Sequence, residues 1–308
     1  MHKSKSTYRA VFGNGNVVED EVTGELNVRT TEKMTYSGQF LGFDEFIPSF
    51  ASANISDFTK GVNYASGGSG IREESGSHNG DRVSLGRQLH HHRSTVSAIS
   101  RTTKNTTFLN KCIYLLNTGN NDYINNYFMP GKHYNTRQKY SKAQYAKVLT
   151  KQYARQLRTL YKLGGRKIAV FGLTRIGCTP FMVRKFSTGG KPCVDHINNG
   201  TDAFNYKLKA LVEQLNKEKS EARFTFINTA GILFPQGEVS MRTPPCCQLT
   251  GDWACTLNSA PCSIRAVSIY FDALHPTEFS NLAIATRAYK AALPTDAYPY
   301  DIHHLTKV

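Results

Sequence analysis

Short apolar runs bounded by turn residues recur at Ala10–Phe12, Ile113–Leu116, Lys167–Leu173, Phe224–Asn228 and Val267–Phe271. Each has the length and the β-branched or aromatic content of a buried strand. Between them the apolar spacing lengthens to three and four. Tyr145, Val148, Leu149, Tyr153, Leu157, Leu160 and Tyr161 make one such stripe, which stops at Gly164-Gly165 as a helix would. Phe204, Leu208, Leu211 and Leu215 make a second, and Leu282, Ala283, Ala285, Ala288 and Ala291 a third. Strands alternating with helices of this length need crossover connections, so the pattern predicts an α/β fold whose parallel sheet is covered on both faces. No repeat or low-complexity linker interrupts it. One domain over residues 1–308 is expected.

Composition narrows the class without changing the fold. Of 308 residues, 40% are hydrophobic, 11% aromatic and 20% charged, which is enough for a core and unlike a disordered chain. No apolar run approaches the ~20 residues a membrane span needs, so no transmembrane segment is expected. The start, Met1-His2-Lys3-Ser4-Lys5-Ser6, is basic but has no apolar run after it and does not read as a signal peptide. Lys and Arg number 38 against 23 Asp and Glu, a net charge of +15. The excess is spread along the chain with no basic block of five, which reads as a solvated surface and not as a nucleic-acid tract.

The seven cysteines say more by position. Cys112 sits in an apolar run and reads as a buried free thiol. Cys178 and Cys193 flank a polar excursion. Cys246, Cys247, Cys255 and Cys262 crowd a stretch rich in Pro, Gly, Asn and Thr with little apolar periodicity. A segment that cannot bury apolar area needs covalent staples, so these four read as disulfides in an oxidising compartment. Zinc is the alternative, though the spacing lacks the paired C-x2-C of common zinc sites. Sequons at Asn54, Asn105 and Asn199 also fit a secreted protein.

In such a sheet, chemistry collects in the loops beyond the carboxyl ends of the strands. Gly119-Asn120-Asn121-Asp122 follows the strand that ends at Asn117. There an Asn can aim its side-chain N–H at a developing oxyanion, or the segment is a turn with Asp122 capping a helix. Gly61 to Ile71 holds Gly67-Gly68-Ser69-Gly70, whose backbone N–H groups suit an oxyanion or form a plain turn; no Lys-Ser/Thr follows to make a P-loop. After Val267–Phe271 comes Asp272-Ala273-Leu274-His275-Pro276-Thr277-Glu278, with Pro276 placed to open a helix. Asp272 could take the Nδ1–H of His275 and leave Nε2 as a general base. His90-His91-His92 point in three directions on a helix and read as a solvated face, so no metal site is expected.

These stretches together resemble the plant GDSL esterase/lipase family of the SGNH hydrolases. The matching residues are Asn63-Tyr64-Ala65-Ser66-Gly67-Gly68, Gly119-Asn120-Asn121-Asp122, Phe171-Gly172-Leu173 running to Gly177-Cys178-Thr179-Pro180, and Asp272-Ala273-Leu274-His275-Pro276-Thr277. Cys246-Cys247, Cys255, Cys262 and the tail Pro299-Tyr300-Asp301-Ile302 also look familial, so the likeness runs from about Phe40 to the C-terminus. It implies a secreted three-layer α/β/α sandwich that hydrolyses carboxylic esters or lipids through an acyl-serine. His275 would be the base, Asp272 its orienter, and Asn121 with Gly68 the oxyanion donors. Such a mechanism uses no metal or organic cofactor. The motifs specify neither acyl chain, alcohol nor oligomeric state.

One departure is conspicuous. The family's nucleophile is the serine of a Gly-Asp-Ser-Leu turn after the first strand. Here Tyr8-Arg9-Ala10-Val11-Phe12-Gly13 runs straight into Asn14-Gly15-Asn16, as if Asp-Ser-Leu had been cut out, and no nucleophile is identified. Ser4 and Ser6 precede the strand, Ser37 lies far beyond it, and Ser66 and Ser69 belong to the glycine block. The stretch of about 1–39 is therefore expected to be truncated or divergent. Either the chain is a non-catalytic relative that keeps the pocket, or a segment has been lost along with the exporting leader. The second reading accounts for the polar start as well as the interrupted turn.

Overall fold

The computed structural model describes residues 9–13, 15–19, 26–30, 32–42, 47–59, 61–128, 134–235 and 244–308. Its strands are β1 (Arg9–Gly13), β2 (Gly15–Glu19), β3 (Leu26–Thr30), β4 (Val62–Asn63), β5 (Ile113–Asn117), β6 (Lys167–Phe171), β7 (Arg223–Ile227), β8 (Leu249–Thr250), β9 (Ala254–Cys255) and β10 (Ala297–Tyr298). The helices are α1 (Glu32–Phe40), α2 (Leu85–Thr103), α3 (Thr136–Lys139), α4 (Lys142–Lys162), α5 (Pro180–Phe186), α6 (Asp195–Glu218), α7 (Thr229–Leu233), α8 (Glu278–Tyr289) and α9 (Ile302–Lys307).

The central sheet runs β10-β7-β6-β5-β1-β4. Five strands are parallel, and Gly13, Asn117, Phe171 and Ile227 stand in one register line at their carboxyl ends. The sixth, β10, is antiparallel to β7, so the sheet is mixed and not purely parallel as expected. Side-chain alternation makes the layers. Tyr114, Leu116, Ile168, Val170, Phe224 and Phe226 bury against α2, α4 and α6. Ile113, Leu115, Ala169, Phe171 and Ile227 bury on the other face against Ile232 of α7, Ile284 and Ala288 of α8, and Ile302 and Leu305 of α9. Neighbours in sequence thus serve opposite cores, as a period of two demands. The α/β/α sandwich is formed.

Local sequence explains the long helices. Ser141 and Gln144 close a capping box at the start of α4, and the helix ends just before Gly164. The Tyr145-to-Tyr161 stripe and the Phe204-to-Leu215 stripe both lie where expected, on α4 and α6. The third stripe is corrected. On α8 it is Ile284, not Leu282, that is buried, and Ala291 falls beyond the helix. Thr277 caps α8 through the N–H of Ser280, so Pro276 precedes the helix and does not open it. On its outer side α8 meets α1, where Phe40 stacks on Tyr289 at 5.5 Å.

Val267–Phe271 is not a strand. Arg265–Val267 is a single 3-10 turn with Val267 exposed, and Tyr270 makes only an isolated bridge to Pro276. The segment closes its hydrogen bonds on itself, Phe271 N–H to His275 O at 2.8 Å and Thr277 N–H to Ile269 O at 2.9 Å. The place beside β7 that another strand could fill is taken by β10. Only Tyr270 of the run is buried, and the segment forms a turn and not a ladder.

The cysteines pair as Cys178–Cys193, Cys246–Cys262 and Cys247–Cys255, and Cys112 is a buried free thiol. All four clustered cysteines are therefore bridged, as their surroundings required. No described helix is long and apolar enough to cross a membrane. Asn14, at the interrupted turn, lies outside the described residues, as do Ser4 and Ser6. β2 begins at Gly15 and pairs antiparallel with β3, so the backbone beyond β1 enters a two-stranded ribbon.

Candidate active site

Two pairs of candidate site residues stand beyond the sheet, and they are built differently. The first grows from β4 and β5. Past Asn63 the chain turns through the glycine block, where Gly68 takes φ of +69° with nothing within 4 Å of where a Cβ would sit. That left-handed backbone favours glycine and leaves the peptide face open. Past Asn117, Asn121 is half-buried and donates from Nδ2 to Ser69 O at 2.9 Å. Its Oδ1 accepts from Asn125 at 3.4 Å, which fixes the amide's orientation. An amide nitrogen carries two hydrogens, so one N–H remains for an oxyanion. Asn121 and the glycine block are therefore brought together.

Asp122 fastens this arrangement. It caps no helix. Fully buried at the start of a π-helical turn, it accepts from Ile71 N at 2.8 Å, Arg72 N at 3.0 Å and Ser75 Oγ at 2.6 Å. Gln152 and Gln156 of α4 both donate to Ile71 O, at 2.8 and 2.9 Å. Gly70 has to be glycine, because a Cβ there would lie 2.3 Å from Asp122 Oδ2. Burial pushes the Asp122 carboxyl up to about 6, although its three donors pull the other way. Ser66 and Ser69 are structural: Ser66 Oγ accepts from Val83 N at 2.9 Å, and Ser69 donates to Ser66 O at 2.8 Å. Ser37 is fully buried on α1.

The second pair needs no strand. Asp272 Oδ1 accepts from the N–H groups of Leu274 and His275 at 2.7 and 2.6 Å, and its Oδ2 lies 2.6 Å from His275 Nδ1. With Nδ1–H committed to the carboxylate, the neutral imidazole presents its lone pair at Nε2. Asp272 is buried and the His275 side chain is 41% exposed, so the imidazole is held yet reachable. Desolvation pulls the His275 pKa down, but the hydrogen bond and charge of Asp272 outweigh it and raise the imidazole above its ordinary value. The turn is tied to the loop after β6 by Phe181 N–H to Ala273 O at 2.9 Å, and to the stapled segment by Cys246 N–H to Phe271 O at 2.8 Å. No direct hydrogen bond joins the two pairs among the described residues. A base with an orienting carboxylate and a set of N–H donors is the equipment of acyl transfer.

The GDSL-like Lipase/Acylhydrolase family model matches residues 6–288 of this chain. This chain belongs to that family. One GDSL esterase/lipase of Arabidopsis thaliana is 38% identical over 288 residues, spanning 88% of this chain and 77% of its own length. Another from the same plant is 37% identical over 301 residues, spanning 96% and 81%. Among solved structures, an extracellular lipase from Streptomyces rimosus overlays with a TM-score of 0.42 at 16% identity, covering 89% of this chain and 94% of that one. The GDSL family is one of ester-hydrolysing lipases and esterases.

Several residues that shape this GDSL family site carried no signal in the sequence pattern. Asn205 of α6 holds the loop after β6 from both sides, accepting Leu173 N–H at 2.7 Å and donating to Leu173 O at 2.9 Å. Asn198 accepts from Gly177 N at 2.9 Å beside Cys178. Both lie on the buried face of α6 beside its apolar stripe, where an amide in the sequence looks like a surface one. The histidine run is also corrected. His92 is fully buried, its Nδ1 3.2 Å from Tyr64 OH, and burial pushes it down to about 3. His91 stacks on Phe50 at 4.4 Å. His91 and His92 pack the α2 face, while His90 is exposed to solvent as expected.

Proposed function

We propose that this protein is a single-domain serine-ester-hydrolase scaffold over residues 1–308, acting in its family's manner on acyl esters or lipids but lacking the nucleophile as written. In this reading His275 is the general base, Asp272 orients it, and Asn121 with Gly68 supplies the oxyanion donors. The observation that carries it is the 2.6 Å contact of His275 Nδ1 with Asp272 Oδ2, which leaves Nε2 poised as a base. No hydroxyl follows β1 for that base to activate, since Gly13 is succeeded by Asn14-Gly15-Asn16. The base could then deprotonate only water, without the proximity a fixed serine provides.

The test is to insert Gly-Asp-Ser-Leu between Gly13 and Asn14 and assay short-chain aryl esters. Hydrolysis should rise by orders of magnitude over the unmodified chain and fall again on His275→Ala. If neither chain hydrolyses esters while the unmodified one binds lipid or glycan, the protein is a non-catalytic binding relative. The absent nucleophile beside a kept donor pair is what favours that second reading.

We also infer that the protein works outside the cell. Three disulfides among the described residues fit an oxidising compartment. Asn105 is exposed, and its Oδ1 accepts both the N–H and the hydroxyl of Thr107, at 2.8 and 2.7 Å, so this sequon stands free for a glycan. Peptide mass spectrometry on material from a plant host should find Asn105 glycosylated, and an unmodified, reduced protein would refute the assignment.

A further inference from the structure

At the opposite edge of the sheet, away from every group discussed so far, the amino ends of β6 and β7 open into a cavity of about 310 Å³. Its walls are Asn110, Arg166, Lys167, Glu221, Arg223 and Val308. Lys167 and Arg223 are the first residues of two adjacent parallel strands and face each other directly in register. Like charges in that relation repel, and a sheet gains nothing by placing them so. Arg166 adds a third cation, and Lys219 a fourth nearby, since Arg166 and Lys219 lie over the same Tyr161 ring at 4.1 and 5.2 Å. Against these stand Glu221, 3.8 Å from Arg166 Nε, and Val308 on the wall, whose main-chain carboxylate is a second negative charge.

The arginines are held in place from within. Arg166 donates from Nη1 to Tyr161 O at 2.8 Å and Gly165 O at 3.2 Å, and Arg223 from Nη1 to Ser220 O at 2.7 Å and Ala222 O at 3.0 Å. Each guanidinium is thus anchored through Nη1, Arg166 also turning Nε toward Glu221, with Nη2 left over as a donor. A fixed guanidinium is the preferred partner of a phosphate's paired oxygens. Lys167 is half-buried, and burial lowers its pKa. No carboxylate among the described residues pairs with it.

We propose that this cavity is a binding site for a phosphomonoester, with Arg166, Lys167 and Arg223 as its cationic ligands. A dianionic phosphate matches the surplus of positive charge, and the volume leaves room for a small organic group beyond it. The site is remote from Asp272 and His275 and does not depend on the ester-hydrolase reading.

The experiment is calorimetric titration of the full chain with inorganic phosphate and with glycerol 3-phosphate at fixed ionic strength, alongside vesicles of phosphatidylcholine with and without phosphatidic acid. Saturable binding of the soluble phosphates supports a metabolite ligand. Binding only to vesicles that contain phosphatidic acid supports the same chemistry on a lipid headgroup. Lys167→Gln and Arg223→Gln should each weaken binding at least tenfold. Lys167→Gln should also raise the melting temperature of the ligand-free protein, because it relieves the cross-strand repulsion without removing a hydrogen bond. A role confined to structure would lower that temperature instead. No saturable binding to any probe, equal binding of malonate, or unchanged affinity in both variants would overturn the proposal.

Discussion

The two halves of the candidate site reach their positions by different means. The donor half, Gly68 and Asn121, stands on strand ends and is locked by Asp122, a buried carboxylate with three donors pointed at it. The base half, Asp272 and His275, has no strand beneath it; its turn closes on itself and leans on a segment carrying two disulfides. A sheet supplies position as a by-product of its register. A loop has to obtain the same rigidity from side-chain hydrogen bonds and covalent links. The donor half should therefore fail when a polar group is deleted, and the base half when a bridge is reduced.

Asp122→Ala is expected to have the largest effect. It leaves two backbone N–H groups and the Ser75 hydroxyl without their buried acceptor, a loss on the order of 4 kcal/mol. Denaturant unfolding measures it, and a change below ~1 kcal/mol would show that Asp122 is no strut. Next comes Cys246→Ser with Cys262→Ser, expected to cost about 3 kcal/mol for a bridge of this span. Hydrogen exchange sharpens the comparison: the Phe271 and Thr277 amides should lose protection while those of Ile71 and Arg72 keep theirs. Equal loss at both places would erase the distinction between the halves.

Acid titration separates them further. Asp122 is raised to about 6 from an unfolded value of 3.8, so the folded state binds the proton more tightly. Its contribution is greatest below the unfolded value and fades as pH rises through about 6, by roughly 3 kcal/mol at most. His275 is also raised, so the stability from its pairing with Asp272 is full below about 6.5 and fades above that. Stability curves should show two separate declines, of which Asp272→Asn removes only the upper one. The smallest effect is spectroscopic. The NMR titration of His275 should move to lower pH in Asp272→Asn, and an unmoved midpoint would mean that Asp272 does not charge-pair with it.

Much of this was legible in the chain because the informative signals are periodic or local. The runs at Ile113–Leu116 and Lys167–Leu173 alternate or cluster as buried strands must, and Asp272 with His275 needed only three residues of separation to meet. Val267–Phe271 is no strand because its backbone bonds within its own turn and only Tyr270 of the run is buried, neither of which apolar content alone decides. β4 and β10 are two residues each, too short for any period to show. Asp122, Asn198 and Asn205 act over separations of 47, 21 and 32 residues, distances at which spacing in the sequence carries no geometric content. His92 is the reverse case, since three identical neighbours conceal that one faces the core.

The central claim is that a base and its donors remain while the serine between them is gone. A fluorophosphonate probe, which reacts covalently with activated serines, tests this without a choice of substrate. The unmodified chain should stay unlabelled, while the chain carrying Gly-Asp-Ser-Leu between Gly13 and Asn14 should be labelled at the inserted serine and lose that label on His275→Ala. Labelling of the unmodified chain at one of its own serines, abolished by His275→Ala, would show that another hydroxyl has taken the nucleophile's place and would contradict the account.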